Sequence, residues 1–130
     1  MELSASALEW AQRLVRINTV SRESNLGLIE CIADHLRSLS VPIRLTHDAE
    51  RRKANLFATV GAGRPDGVIL SGHTDTVPWD GQSWRREPLG AAIDGDRLYG
   101  RGSADMKGFI GLVVAQTEGF LAADLPYAIH

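Results

Sequence analysis

One cysteine in 130 residues, Cys31, has no partner for an internal disulfide, so no oxidised framework supports this fold. Its place within a helical pattern makes it a packing residue rather than a nucleophile. No apolar run approaches the roughly 20 residues of a membrane-spanning helix, and the N-terminus lacks the basic patch, apolar stretch and small-residue cleavage site of a secretion signal. Excess charge of one sign is missing too. With 14 Lys and Arg against 16 Asp and Glu, the net charge is −2, which excludes the broad basic field of a nucleic-acid or anionic-membrane binder. Repeats, low-complexity tracts and linkers are absent. These absences predict one cytoplasmic domain with neither nucleic acid nor membrane as a partner.

What is present is periodicity. The stretch "SASALEWAQRLVRI" spaces Leu8, Ala11, Leu14 and Val15 as one helical face, with Ser6 and Glu9 at capping-box separation. After a polar break, "NTVSRESN", the segment "LGLIECIADHLRSL" repeats the helical stripe through Leu28, Ile32, Leu36 and Leu39. His35 flanks that stripe without a ligand-type residue at i+4, which predicts a surface or boundary histidine. Three short β-branched runs follow, "VPIRLTHD", "ANLFATVG" and "VILSGH", and each predicts a strand. His47, at the polar end of the first, is expected in solvent. The intervening "GAGRPDG" has the look of a nucleotide loop, yet its proline and Asp-Gly predict chain reversal and no amphipathic helix follows, so a plain hairpin connection between the second and third strands is expected.

Further on, "AAIDGDRLY" predicts a hairpin with Asp94-Gly95 in a primed turn. The segment "SADMKGFIGLVVAQTEGFLAAD" predicts a helix capped by Ser103, with Phe109 to Ala115 apolar nearly all round and therefore buried. A last strand, "LPYAIH", closes the series. The order of elements predicts an α/β fold, helices packed on a mixed sheet.

Chemistry in such folds gathers at strand ends, where "LSGHTDTVPWDG" carries His73 and Asp75. Residues i and i+2 of an extended segment share a face, so the two side chains are neighbours. An imidazole that binds a metal through one nitrogen usually donates its other N–H to a carboxylate, and His73 with Asp75 could form that pair. A simple hydrogen-bonded pair at a strand end fits the same two residues. Asp105, in "YGRGSADMKG", is expected in the first turn of the buried helix, where the helix dipole favours an ionised carboxylate. An ordinary helix-start aspartate is the alternative.

Taken jointly, "LSGHTDTVP" and "LYGRGSADMKG" resemble the zinc-dependent deacylase and exopeptidase family that includes acetylornithine deacetylase, succinyl-diaminopimelate desuccinylase, aminoacylase and glutamate carboxypeptidase. The likeness runs through nearly the whole chain, and "GHTDTVPWDGQSW", "DGDRLYGRG" and "SADMKGFIG" look most like the acetylornithine deacetylases. The resemblance implies two divalent metal ions, zinc with cobalt or manganese as alternatives, with His73 a ligand to one and Asp105 bridging both. Asp75 would steer His73, and the Asp105-Met106 peptide would be cis. Lys107 and Gly108 match the same motif and are assigned structural roles. Trp79, Trp84, Arg85 and Arg86 receive no role beyond packing and a solvated basic edge. The implied reaction is hydrolysis of an N-acyl amino acid, such as N-acetylornithine to ornithine and acetate in arginine synthesis, by a metal-activated water that gives its proton to a glutamate.

That glutamate and its metal-binding neighbour would follow the strand "PYAIH", outside these 130 residues, as would a later acidic ligand and a distal histidine. His130 precedes the expected glutamates and replaces none of them. Residues 1–130 are thus expected to be the N-terminal part of a metallohydrolase catalytic domain, without its lid or dimerisation domain and inactive alone. The parent would be a homodimer, and the open sheet edge would let this chain self-associate. A noncatalytic remnant, or part of a sister enzyme, is the alternative reading.

Overall fold

The computed structural model describes residues 5–61, 63–64 and 66–130. Helix α1 (Ala5–Arg16) buries Ala11, Leu14 and Val15 of the expected face, with Ala7 buried in place of Leu8, which is half-buried. Ser6 does not cap it: the helix already includes Ala5, and an N-cap precedes the first helical residue. Helix α2 (Leu26–Ser38) buries Leu28, Ile29, Ile32, Ala33 and Leu36. Strands β1 (Ile43–His47) and β2 (Ala54–Ala58) form an antiparallel hairpin, with Ile43 opposite Ala58 and His47 opposite Ala54. Asp48 closes its turn, accepting the Arg52 N–H at 2.8 Å and the Lys53 N–H at 2.9 Å.

Strand β3 (Gly67–Val68) is shorter than the run "VILSGH" predicts. Nor does it form the hairpin with β2 that "GAGRPDG" predicts: its partner is the strand Ala128–Ile129, which lies parallel to it and, by bridging Val60, takes the place between the two. The last backbone bond of the parallel pair joins the Leu70 N–H to the His130 carbonyl at 2.7 Å, and among the described residues the segment's next ladder contact is the parallel bridge of Thr76 to Val20. Between these elements β4 (Ala92–Asp94) and β5 (Arg97–Tyr99) make the predicted hairpin. Its central pair is Gly95–Asp96, and only Gly95 takes a positive φ, so the turn is centred one residue later than expected.

The chain then makes a kinked turn over Ser103–Lys107, followed by α3 (Gly108–Ala115), α4 (Thr117–Ala122) and β6 (Ala128–Ile129). Ser103 is not the cap of α3: its hydroxyl donates to the Gly100 carbonyl at 2.9 Å, and the regular helix starts five residues later. Nor is α3 buried all round. Gly111 and Val114 are buried, while Phe109 stands 36% exposed, because the helix packs on α1 along one side only.

An antiparallel bridge between Val60 and Ile129, with both backbone bonds at 2.9 Å, joins the pairs into a layer ordered β1-β2-β6-β3. The core of Leu14, Leu28, Ile32, Leu36, Val41, Val60 and Val114 meets Ile43, Leu56, Ala58 and Ile129 of that layer. All three longer helices therefore lie on one sheet face. Alternation turns Phe57 and Ile69 to the other face, where they are 44% and 68% exposed. No helix among the described residues is long and apolar enough to cross a membrane.

Candidate metal site

His73 and Asp75 leave the same side of the extended segment that continues from β3, and Thr74 between them turns inward. Thr74 is gripped from behind. The Thr19 hydroxyl donates to its carbonyl at 2.6 Å, and the Asn25 amide donates to its hydroxyl at 3.0 Å. Asn25 also donates to the Ala54 carbonyl and accepts the Ala54 N–H, both at 2.9 Å, so one buried side chain stands in for a strand backbone. One step further, the Thr76 N–H donates to the Thr19 carbonyl and the Ser21 N–H to the Thr76 carbonyl, at 3.0 and 2.9 Å. Thr19, Asn25 and Thr76 are all buried.

Read from sequence as a polar break, "NTVSRESN" thus supplies the clamp that positions the strand end. The available signal was the pair of backbone-mimicking side chains, Thr19 and Asn25, between two amphipathic helices.

Asp105 approaches from the kinked turn. Its φ and ψ of −132° and 90°, with Met106 at −143° and 32°, are not helical, and the Asp105–Met106 peptide is cis, as the family likeness implies. The expectation that Asp105 sits in the first turn of a helix is therefore incorrect. Its carboxylate is held by position rather than by helix N–H groups.

Two neighbours fix that position. Lys107 is completely buried, its ammonium donates to the Ile17 carbonyl at 2.6 Å, and its backbone N–H donates to the Gly102 carbonyl at 2.8 Å. Burial pushes the Lys107 pKa down to about 8. Gly102, at φ 84°, admits no side chain: a Cβ there would lie 2.7 Å from Thr76 Cγ2 and 3.3 Å from Lys107 Cδ. At Gly108 a Cβ would meet the Ser103 carbonyl oxygen at 2.3 Å.

The three residues singled out by sequence come together. His73 Nε2 lies 2.9 Å from Asp105 Oδ1, and His73 Nδ1 lies 3.1 Å from the Asp75 carbonyl oxygen and 3.2 Å from Asp75 Oδ1. The imidazole is thus flanked by carboxylates on both ring nitrogens. The hydrogen bond to Asp105, against a smaller opposing effect of burial and with help from Asp75, raises its pKa above the ordinary histidine value. Such a locus has negative charge to spare, the electrostatics that a divalent cation neutralises.

The donor chemistry, one imidazole nitrogen and one carboxylate oxygen within hydrogen-bond distance, fits part of a zinc coordination set. Among the described residues no three His, Cys, Asp or Glu side chains converge on one ion position. Asp75 engages the Nδ1 side of the ring, which leaves Nε2 to meet Asp105.

The other candidates go elsewhere. His35 packs against Trp10 with ring centroids 4.8 Å apart. His47 is half-buried rather than solvent-exposed, because the end of β1 faces a cleft. Arg101 lies over the Trp84 ring, while Arg86 bonds to Asp94 and covers Tyr99.

Residues 69–129 match the profile of peptidase family M20/M25/M40. Over 119 residues, 89% of this chain, the sequence is 38% identical to succinyl-diaminopimelate desuccinylase of Methylobacterium radiotolerans. Over 109 residues, 83% of the chain, it is 42% identical to acetylornithine deacetylase of Proteus mirabilis. The chain covers 30% and 28% of those two proteins. In fold it matches an M20 family metallo-carboxypeptidase of Sulfolobus solfataricus, with TM-score 0.78 and 20% identity over 99% of this chain and 30% of that one. Human carnosine dipeptidase 1 gives TM-score 0.75 and 23% identity over 95% and 30%.

Proposed function

We propose, from the premise that this chain belongs to peptidase family M20/M25/M40, that it carries half of a two-metal centre for hydrolysing the amide bond of an N-acyl amino acid. His73 and Asp105 are the metal ligands in this reading, and Asp75 orients the imidazole. The observation that carries it is the 2.9 Å approach of His73 Nε2 to Asp105 Oδ1, made by two segments with separate supports, the Thr19–Asn25 clamp and the buried Lys107.

Divalent ions held there, zinc foremost, would supply Lewis acidity toward the amide carbonyl and acidify a water. The chain's own contribution is orientation. Asp75 holds Nδ1, so that giving up the Nε2 proton shared with Asp105 would turn the Nε2 lone pair to an ion, and the turn at Ser103–Lys107 delivers a carboxylate that is 86% exposed and open to a small substrate. N-acetylornithine is the substrate favoured by the motifs and by the 42% identity to a deacetylase, with N-succinyl-diaminopimelate as the sister possibility.

Two donors cannot complete a four-coordinate site. The activity is therefore assigned to the whole protein of which these residues form the metal-site half, and this chain alone is expected to be inactive. Zinc titration tests the assignment. Weak binding by the chain, abolished by either His73→Ala or Asp105→Ala, supports it, together with no turnover of N-acetylornithine or N-succinyl-diaminopimelate. Zinc binding unaffected by both substitutions would refute it, and turnover by the unaided chain would refute the half-site.

A further inference from the structure

Asp105 is joined at His73 by the residue that follows it. While the Asp105 carboxylate meets the ring, the next side chain meets the main chain: the His73 backbone N–H donates to Met106 Sδ at 3.4 Å. Consecutive residues of the kinked turn therefore hold His73 at both ends. Beyond the sulfur, the Met106 methyl rests on the residue before His73. A Cβ at Gly72 would lie 3.1 Å from Ile110 Cγ1, 3.3 Å from Met106 Cε and 3.4 Å from Phe109 Cδ1, so glycine lets the backbone lie directly on this apolar group. The Thr19–Asn25 clamp grips Thr74, whereas Met106 links the Asp105 turn to the His73 main chain.

A thioether serves both contacts. Its sulfur lone pairs accept a hydrogen bond weakly, and its methyl end packs as a hydrocarbon. Both properties depend on the oxidation state of the sulfur. Met106 is half-buried, and its bond to His73 lies at an exposed place, within reach of a small oxidant.

We infer that Met106 is a peroxide-modification site whose oxidation detaches His73 from the Asp105 turn. The step is a two-electron oxygen transfer. A lone pair of Sδ attacks one oxygen of hydrogen peroxide, the S–O bond forms as the O–O bond breaks, and the departing hydroxide takes the proton of the transferred oxygen and leaves as water. Sulfur is oxidised and peroxide is reduced. The sulfoxide has a positively polarised sulfur, a poor acceptor for the His73 N–H, and it brings an oxygen dipole against Gly72, Ile110 and Phe109. Leaving that oxygen unpaired among apolar atoms costs more than the weak bond it replaces, so the side chain turns to water and gives up both contacts. Reduction to the thioether restores them. As a control of metal binding this rests on the zinc reading given above; as a contact between two segments it stands without it.

The test treats the folded chain with hydrogen peroxide, places the added oxygen by peptide mass spectrometry, and follows the His73 backbone amide by NMR beside a zinc titration. A sulfoxide at Met106 is expected, with faster exchange of the His73 amide, unaffected amides in α1 and α2, and a zinc dissociation constant raised roughly tenfold. Met106→Leu conserves the volume without the sulfur, and its zinc affinity is expected not to respond to peroxide. Met106 left unoxidised in the folded chain, at a dose that oxidises it in urea, would overturn the inference. So would a sulfoxide at Met106 with the His73 amide unchanged, or an equal peroxide response in Met106→Leu. If the untreated chain takes up no zinc, the metal reading fails by itself, and the His73 amide alone decides this one.

Discussion

Two backbone N–H groups, first that of Lys53 and then that of Arg52, hold the Asp48 carboxylate at the β1–β2 turn and lower its pKa below the ordinary aspartate value of 3.8. A carboxylate depressed in the folded state adds stability that is fully present above its unfolded pKa and is lost as pH falls through the folded pKa. Carboxyl NMR titration is expected to give Asp48 a midpoint below that of free aspartate, and Asp48→Asn to remove this part of the acid dependence. A midpoint at the free value would contradict the turn geometry.

Lys107 offers a second residue-scale test, because its stem is fully enclosed while its ammonium has one carbonyl partner. Lys107→Ala empties the space that Lys107→Met fills, and is expected to lower unfolding free energy by roughly 2 kcal/mol more. Equal losses in urea denaturation would mean that packing of the stem is not what matters. The sequence motif contained this lysine but not its burial, which depends on Ile17, ninety positions away.

At the scale of elements, the contact between α1 and α3 depends on a missing side chain. A Cβ at Gly111 would lie 2.7 Å from the Ala11 backbone nitrogen, whereas one at Gly119 of α4 would meet only the tip of Gln116 at 3.4 Å. Helix propensity favours alanine at both positions by up to about 1 kcal/mol. Gly119→Ala is expected to be neutral or stabilising, and Gly111→Ala to destabilise by about 1–3 kcal/mol as the helices are forced apart. Thermal unfolding of the two variants checks the opposite signs.

Asn25 joins elements too, tying β2 to the strand end that bears His73. Asn25→Ala leaves the Ala54 N–H and C=O without their buried partner and is expected to cost roughly 2–4 kcal/mol, read from the denaturation midpoint. A loss under 0.5 kcal/mol would sink the view that it clamps the site. Helix periodicity was legible because each amphipathic face is written locally. The third strand was misjudged in extent because pairing requires a neighbour, and the apolar run "VILSGH" says nothing about one.

For the molecule as a whole, the sheet has helices on one face, while the other presents Phe57 and Ile69. Uncovered apolar side chains beside an incomplete sheet favour association. We expect sedimentation velocity to show concentration-dependent oligomers that are reduced by joint Phe57→Lys and Ile69→Lys substitution. A monomer at all concentrations would count against this.

The sequence by itself determined most of the α1 and α2 faces, the β4–β5 hairpin and the likeness to the family, and it singled out His73, Asp75 and Asp105, since these rest on local spacing and on short motifs. The tertiary structure alone decided that Asp105 stands outside the helix, that Thr19, Asn25 and Lys107 hold the site from behind, and that β3 pairs with β6 rather than with β2. Each of these depends on groups distant in the chain meeting at hydrogen-bond distance, and such meetings arise only when the helices and strands pack against one another.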